Sequence, residues 1–265
     1  MKLTTENYHS LAAKQVYMSA SRYKDFAGTL GTIPCESRVM ASLRGEWKEE
    51  STNAMKVSSF VDAHFSHNLG MFKGHNPEIF TQKGELRAEY KHAEVIIQRI
   101  ERDEYFMKYL SGQKQVIMTA ELWGAQWSIM MDSYIPDIAI VDLKVMADLT
   151  KAHWVKDYGH MSFVRFYGYD LQAAIYQAVV EAVTGKRLPF YIAGASKEAF
   201  PDIEIIGFDQ NDIDEARARI ASTMPRIISI RSGKEPPERC GTCDYCRHTK
   251  VLSKPIHHSE LIERI

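Results

Sequence analysis

The hydrophobic period of this chain switches from helical to alternating near residue 111, and that change limits the fold more than any other feature. Before it, apolar residues recur at helical spacing. Leu86, Tyr90, Ala93, Ile97 and Ile100 follow a 4-3-4-3 pattern, the mark of an amphipathic helix. Val57, Phe60, Val61 and His64 share one face of another helix expected over 53–68. Ser19 is placed to cap a short helix that stops near Gly28, and a further helix is expected just after Pro34, with Cys35 at its entry. After residue 111 the pattern alternates. Val116, Met118, Ala120 and Leu122 interleave with Gln115, Thr119 and Glu121, which predicts a strand over 115–122. Strands are also expected over 126–134 and 138–144, joined by short links at Gly124 and at Pro136-Asp137, as an antiparallel meander.

A long helix is predicted over 167–184, with Leu171, Ile175, Ala178 and Ala182 as its buried stripe and Gly185 as its stop. Strands over 189–195 and 203–208 follow, then a helix over 211–224. This order predicts an α/β fold with a mixed central β-sheet flanked by helices. It divides one expected domain into a mostly helical part (1–110), a sheet core (111–230) and a Cys-rich basic tail (231–265). With 45% apolar and 25% charged residues among 265, the composition is that of a globular protein and excludes disorder, collagen and a coiled-coil rod. No apolar run approaches the ~18–20 residues of a membrane span, and MKLTTENYHSL has no apolar signal core, so a cytoplasmic location with reduced thiols is expected.

Chemistry concentrates at the strand ends. Asp142 and Lys144 point to the same face of a strand that begins Ile138-Ala-Ile-Val, where burying two charges is costly. Asp132 closes the preceding strand, and a short turn brings it close to Asp142. Two converging carboxylates suit a hard divalent cation such as Mg²⁺. An Asp–Lys ion pair at a sheet edge is the plainer reading of the same triplet. Gln172 and Tyr176, four residues apart, share a helix face and could orient a carboxylate or meet a phosphate. His64 is either a hydrogen-bonded core residue or a metal ligand.

Net charge is −1, so DNA cannot be held by bulk charge and would need a local patch. The stretch 226–254 carries seven basic residues against three acidic ones, a net of about +4. Within it lie Cys240, Cys243 and Cys246 at C-x2-C-x2-C spacing, which has the look of a metal site; Cys35 is the fourth cysteine. Cys35 or His248 could complete a tetrahedral zinc site.

In the order His64, Asp132, Asp142-Leu143-Lys144, Gln172-x3-Tyr176, these residues resemble the motif order of the RecB-like branch of the PD-(D/E)XK nuclease superfamily. Gly124-Ala-Gln-Trp127, Ile140-Val-Asp-Leu-Lys144, Tyr169-Asp-Leu-Gln-Ala-Ala-Ile-Tyr176 and Arg239-Cys-Gly-Thr-Cys-Asp-Tyr-Cys246 look most like its RecE-type, phage-related exonucleases. The resemblance runs from about residue 17 to 252. It implies a restriction-endonuclease-like core and metal-dependent hydrolysis of DNA from linear ends, in recombination or repair, beside a single-strand annealing protein. It implies Mg²⁺ or Mn²⁺ on Asp132, Asp142, the Leu143 carbonyl and His64. Lys144 would position water or stabilise charge, Gln172 and Tyr176 would hold the cluster or the DNA, and Glu121 would serve a second metal. Some RecB-like nucleases, such as AddB-type subunits and CRISPR adaptation nucleases, carry a 4Fe–4S cluster on one N-terminal and three C-terminal cysteines. Cys35, Cys240, Cys243 and Cys246 resemble that set, although relatives space the last two about five residues apart rather than two. Zinc and free thiols stay open. The strand also departs from the family in lacking a basic residue near Ser128. A homo-oligomer stays open, because related exonucleases include toroids. Two other functions also fit: a non-catalytic nucleic-acid-binding module, and a nuclease of different polarity like those of CRISPR adaptation.

Overall fold

The structure, a computed structural model, describes residues 1–261. The N-terminal part is helical as expected: α1 (Leu11–Val16), α2 (Ala20–Ala27), α3 (Glu36–Leu43), α4 (Asn53–Phe65), α5 (Leu69–His75), α6 (His92–Glu101) and α7 (Glu104–Tyr109). The Ser19 side chain accepts the Arg22 N–H and caps α2, which ends at Gly28; Cys35 stands at the N-cap of α3. The helix expected through Leu86 is shorter. Leu86 and Tyr90 pack into the same core, but from a bridge and a 3-10 turn that precede α6.

The strands are β1 (Val116–Leu122), β2 (Ala125–Met131), β3 (Ser133–Ile135), β4 (Ala139–Met146), β5 (His153–Val155), β6 (Gly159–Met161), β7 (Phe190–Ser196) and β8 (Ile203–Ile206). β1 and β2 form an antiparallel hairpin closed by Trp123 and Gly124, both at positive φ, the two-residue turn whose twist matches its strands. The expected strand over 126–134 is split. Asp132 interrupts it, so β2 pairs back with β1 while β3 pairs forward with β4. The bend is held from outside. Ser133 Oγ donates to the Tyr109 carbonyl at 2.7 Å and accepts the Gly112 N–H at 2.9 Å. A Cβ on Gly112 would lie 2.5 Å from the Tyr134 carbonyl oxygen, so only glycine lets the two chains approach this closely. Pro136 and Asp137 (φ 65°) make the turn into β4, closed by the Ile138 N–H on the Ile135 carbonyl at 3.0 Å.

The central sheet has the order β3-β4-β7-β8, with β4 parallel to β7 and its other neighbours antiparallel. Between β4 and β7 run the β5–β6 hairpin, which the sequence pattern did not signal, and then α8 (Phe163–Phe166) and α9 (Tyr169–Thr184). Gly168 separates the two helices and Gly185 ends the second.

Alternation on β4 builds two cores. Val141, Leu143 and Val145 face the layer of α4, α6 and α7, while Ile140 belongs to the opposite core with α9. That second core joins α2, β1–β2, α9 and α10 (Gln210–Arg231). Trp127 is fully buried in it, and its Nε1 donates to the Leu122 carbonyl at 2.9 Å. Truncating such a side chain to alanine costs about 3–5 kcal/mol.

α10 runs past its expected end at 224. Met224, Ile227 and Ile230 continue the buried stripe of Ile213, Ala216 and Ile220. Pro225 sits on the exposed side, where the carbonyl it leaves free can meet water. The tail contains the short helix α11 (Asp244–His248), and residues 262–265 lie outside the described residues.

Candidate active site

The split at Asp132 aims its carboxylate across to β4. Asp132 Oδ2 accepts the Leu143 N–H at 2.8 Å, and Gln115 Nε2 reaches Oδ1 at 3.4 Å. In an extended strand the N–H and C=O of one residue point to the same side, so the Leu143 carbonyl opens towards Asp132 as well. One residue on either side of Leu143, β4 presents Asp142 and Lys144 on the α9 face. Asp142 is buried; its Oδ1 accepts from Gln172 Nε2 at 2.7 Å and its Oδ2 pairs with the Lys144 ammonium. Tyr176, one turn beyond Gln172, donates its hydroxyl to the Met130 carbonyl at 3.0 Å, two residues before Asp132. Its hydrogen bond therefore holds β2 and does not reach a carboxylate.

These residues line one cavity of about 1050 Å³. α4 adds Asp62 and Ser58, one turn apart on the helix; Ser58 Oγ donates to the Val145 carbonyl at 3.2 Å and fixes the helix against β4. α2 adds Lys24. Its ammonium donates to the Tyr167 carbonyl at 3.2 Å and lies 4.8 Å from the centroid of the Tyr169 ring, over which Lys144 also sits at 5.6 Å.

The electrostatics are those of crowded like charges. Burial, then the charges of Asp142 and Asp62, hold the Asp132 carboxyl well above the usual carboxylate range. Burial likewise raises Asp62, to about 6; Lys144 pulls it down and Asp142 pushes it up. Burial works against the charge on Lys144, but the Asp142 carboxylate outweighs it and the pKa is raised. Lys24 goes the other way, lowered to about 8 by burial and then by Lys144. The carboxylates of Asp62, Asp132 and Asp142, which act on one another around the Lys144 ammonium, are charges that a divalent cation would offset.

Asp132, Asp142, Leu143, Lys144, Gln172 and Tyr176 are brought together around this cavity. His64 is not. Its Nε2 lies 2.8 Å from Glu101 on α6, and its ring stands edge-on to Phe65. The helix phase explains the difference: Asp62 and Ser58 occupy the face of α4 turned to the cavity, and His64, two residues on, turns towards α6. Glu121 also lies apart, exposed on β1 and bonded by Gln126 across the hairpin at 3.0 Å. Asp62, which stands in the same short motif as His64, lines the cavity in its place. No basic residue stands near Ser128, but Lys24, carried by another element and invisible to a strand motif, lines the same cavity.

The cysteines form a second cluster. The ligand atoms of Cys35, Cys240, Cys243 and Cys246 all lie within 4.8 Å of one another, and none of the four is in a disulfide. Cys35 Sγ is 3.6 Å from Cys246 Sγ, and Cys240 Sγ is 3.9 Å from it. The N–H groups of Cys243 and Cys246 point at the sulfurs of Cys240 and Cys243 at 3.3 and 3.5 Å. Cys35 thus completes the set, and His248 packs instead against Trp47 with its ring tilted, 5.8 Å between centroids.

The basic stretch is partly spent on holding this tail. Arg226 forks onto both Glu36 oxygens at 2.9 and 2.8 Å and also meets Glu235 and Glu238. Arg239 donates to the Cys246 carbonyl and to Thr249. Among the described residues no helix is long and apolar enough to cross a membrane.

None of the curated proteins matches the chain. The crystal structure of a "putative exonuclease" from Eubacterium rectale is similar at 57% identity, with a TM-score of 0.95 over 98% of each chain. A family model described as a PDDEXK-like domain of unknown function (DUF3799) matches residues 19–249. Together with the carboxylates and lysine held on the Asp132 bend and β4, this match over most of the sequence makes the chain a member of that PDDEXK-like nuclease family.

Proposed function

We propose that this protein is a divalent-metal-dependent DNA exonuclease that hydrolyses phosphodiester bonds from the ends of linear DNA. The observation that carries the reading is the Asp132 bend, which sets one carboxylate on the Leu143 N–H beside the Asp142–Lys144 pair in a single cavity. Asp132, Asp142 and the Leu143 carbonyl would hold Mg²⁺ or Mn²⁺, with the Asp62 carboxylate nearby in place of the His64 imidazole. Such an ion polarises the scissile phosphate and lowers the pKa of a water.

The residues of the chain do the rest. Gln172 fixes the rotamer of Asp142, so that its second oxygen stays on Lys144. Lys144, kept protonated, positions the water or stabilises charge developing on phosphorus. Lys24 supplies a second ammonium for a phosphate oxygen. Tyr176 holds β2 behind Asp132. The whole chain would act as one nuclease unit, with the cysteine cluster as a structural metal site in its tail.

The family resemblance adds the setting. RecE-type relatives resect linear duplex ends and feed a single-strand annealing protein, a role in phage-type recombination or repair that this chain would share. The neighbour from E. rectale, named an exonuclease, supports the same reading.

The test uses end-labelled linear duplex beside a covalently closed circle, each with Mg²⁺, Mn²⁺ or EDTA, with Asp142→Ala as control. Metal-dependent loss of the linear DNA alone, absent in the variant, is expected. Cleavage of the circle would make the enzyme an endonuclease. Binding of DNA without cleavage in any metal would favour a non-catalytic module.

A further inference from the structure

The four cysteines tie together parts of the chain that are far apart in sequence. Cys35 opens α3; Cys240, Cys243 and Cys246 lie around the start of α11. The question is what their sulfurs can enclose, and distance decides it. In a single tetrahedral ion with metal–sulfur bonds near 2.3 Å, neighbouring sulfurs stand about 3.8 Å apart. In a 4Fe–4S cubane each thiolate caps a different corner, and the sulfurs stand roughly 6 Å apart or more. Here no pair exceeds 4.8 Å, and two pairs measure 3.6 and 3.9 Å. The cage is the size of one ion. The cubane suggested by RecB-like relatives does not fit it.

The backbone agrees with a small site. The N–H groups of Cys243 and Cys246 point at the sulfurs of the cysteines three residues before them, as in a tight knuckle that offsets thiolate charge. Cys35 and Cys246 are buried, and Cys240 and Cys243 are half-buried. Four thiolates in a tetrahedron are the ordinary ligand set of structural zinc.

The surroundings give the ion a task. α3 leaves Cys35 and carries Arg38 and Ser42 on the wall of the cavity. Trp47, also on that wall, packs edge-on to Tyr245 at 5.5 Å and against His248 at 5.8 Å, both on α11. The loop between Cys35 and Cys240 contains Asp62, Asp132, Asp142, Lys144, Gln172 and Tyr176, so closing it removes much freedom from the unfolded chain.

We propose that Cys35, Cys240, Cys243 and Cys246 bind one tetrahedral zinc ion, not an iron–sulfur cluster, and that this ion pins the C-terminal segment to the α3 wall of the cavity. The site is independent of the nuclease reading and holds whether or not DNA is cut.

The experiment is elemental and acid-labile sulfide analysis of the full chain, purified without oxygen from iron-supplemented cells, so that a cluster would be filled and kept if the site could take one. One zinc per chain and no sulfide is the expected result. Iron in place of zinc would overturn the proposal, whether with matching sulfide and the brown colour of a cluster or without sulfide as a single ion. A second arm removes the metal with all thiols reduced and adds Co²⁺. Tetrahedral cobalt–thiolate absorption that saturates at one equivalent, and weakens in Cys35→Ser, is expected. Protein that takes up neither Co²⁺ nor Zn²⁺ would sink the proposal independently of how Cys35→Ser folds.

Discussion

Gln172 donates from Nε2 to Asp142 Oδ1 at 2.7 Å, both groups buried, and this bond fixes which oxygen of the carboxylate faces Lys144. A carboxylate free to rotate would hold a cation in fewer of its rotamers. Removing a partner that orients a ligand typically costs 10–100-fold in affinity or activity. Gln172→Ala should therefore lower kcat about 10–100-fold and raise the Mg²⁺ concentration for half-maximal activity. A metal titration of nuclease activity checks both. A change of less than about twofold in either would mean that the bond is packing alone.

Asp62 gives a pH prediction whose sign follows from its direction. Its folded pKa, about 6, lies above the ordinary 3.8, so the folded chain holds a proton that the unfolded chain releases. Stability therefore falls as pH rises from about 4 to 6, and the cost is complete above that window. Asp62→Asn should stabilise the chelated protein at pH 8 by about 1–2 kcal/mol, a few degrees in Tm, with no gain near pH 4. Adding Mg²⁺ should shrink the difference, because a cation offsets the same charge. Thermal melts in EDTA at both pH values decide it: a variant less stable than wild type at pH 8 contradicts the crowded-carboxylate picture.

His64 separates two placements of the metal-binding edge. Its bond to Glu101 puts it on the α6 side of α4, away from Asp132 and Asp142. His64→Ala should leave kcat and the Mg²⁺ requirement within about twofold, and cost about 1 kcal/mol or less for a half-exposed hydrogen bond to Glu101. A tenfold rise in the Mg²⁺ requirement would restore the histidine as a ligand.

The strand-borne part of the site was legible because it obeys a period of two. Asp142 and Lys144 share a face by alternation alone, and Asp132 needed only a short turn to meet them. The 4-residue step from Gln172 to Tyr176 was equally direct. What alternation could not reveal is that Asp132 breaks its strand, since the cause is Ser133 and Gly112 locking the bend from a distant loop. The α4 assignment shows the other limit. Periodicity set His64 on the apolar face, but which flank of a helix meets the cavity depends on its rotation in the packed fold; that rotation chose Ser58 and Asp62. Lys24 had no local signal at all. The three-cysteine spacing marked a metal site but not its size, which depends on how closely Cys35 approaches across the fold.

Lys24 carries the last prediction. Its ammonium, like that of Lys144, lies against the Tyr169 ring, and among the described residues its hydrogen bond goes to the Tyr167 carbonyl, an arrangement suited to an anion. Burial and the Lys144 charge bring its pKa from 10.5 to about 8. The free enzyme should then lose this charge as pH passes from 7 to 9, and KM for DNA should rise towards tenfold over that range while kcat changes independently. Lys24→Arg, charged throughout, should flatten the rise; Lys24→Gln should show a high KM at every pH. The stability linkage runs the opposite way. A lysine whose folded pKa is depressed binds fewer protons folded than unfolded between about 8 and 10.5, so wild type gains stability there and Lys24→Gln does not. A pH series of KM beside thermal melts reads both effects. If KM for wild type and Lys24→Gln follow the same pH profile, the ammonium does not meet the DNA, and its place over Tyr169 is packing only.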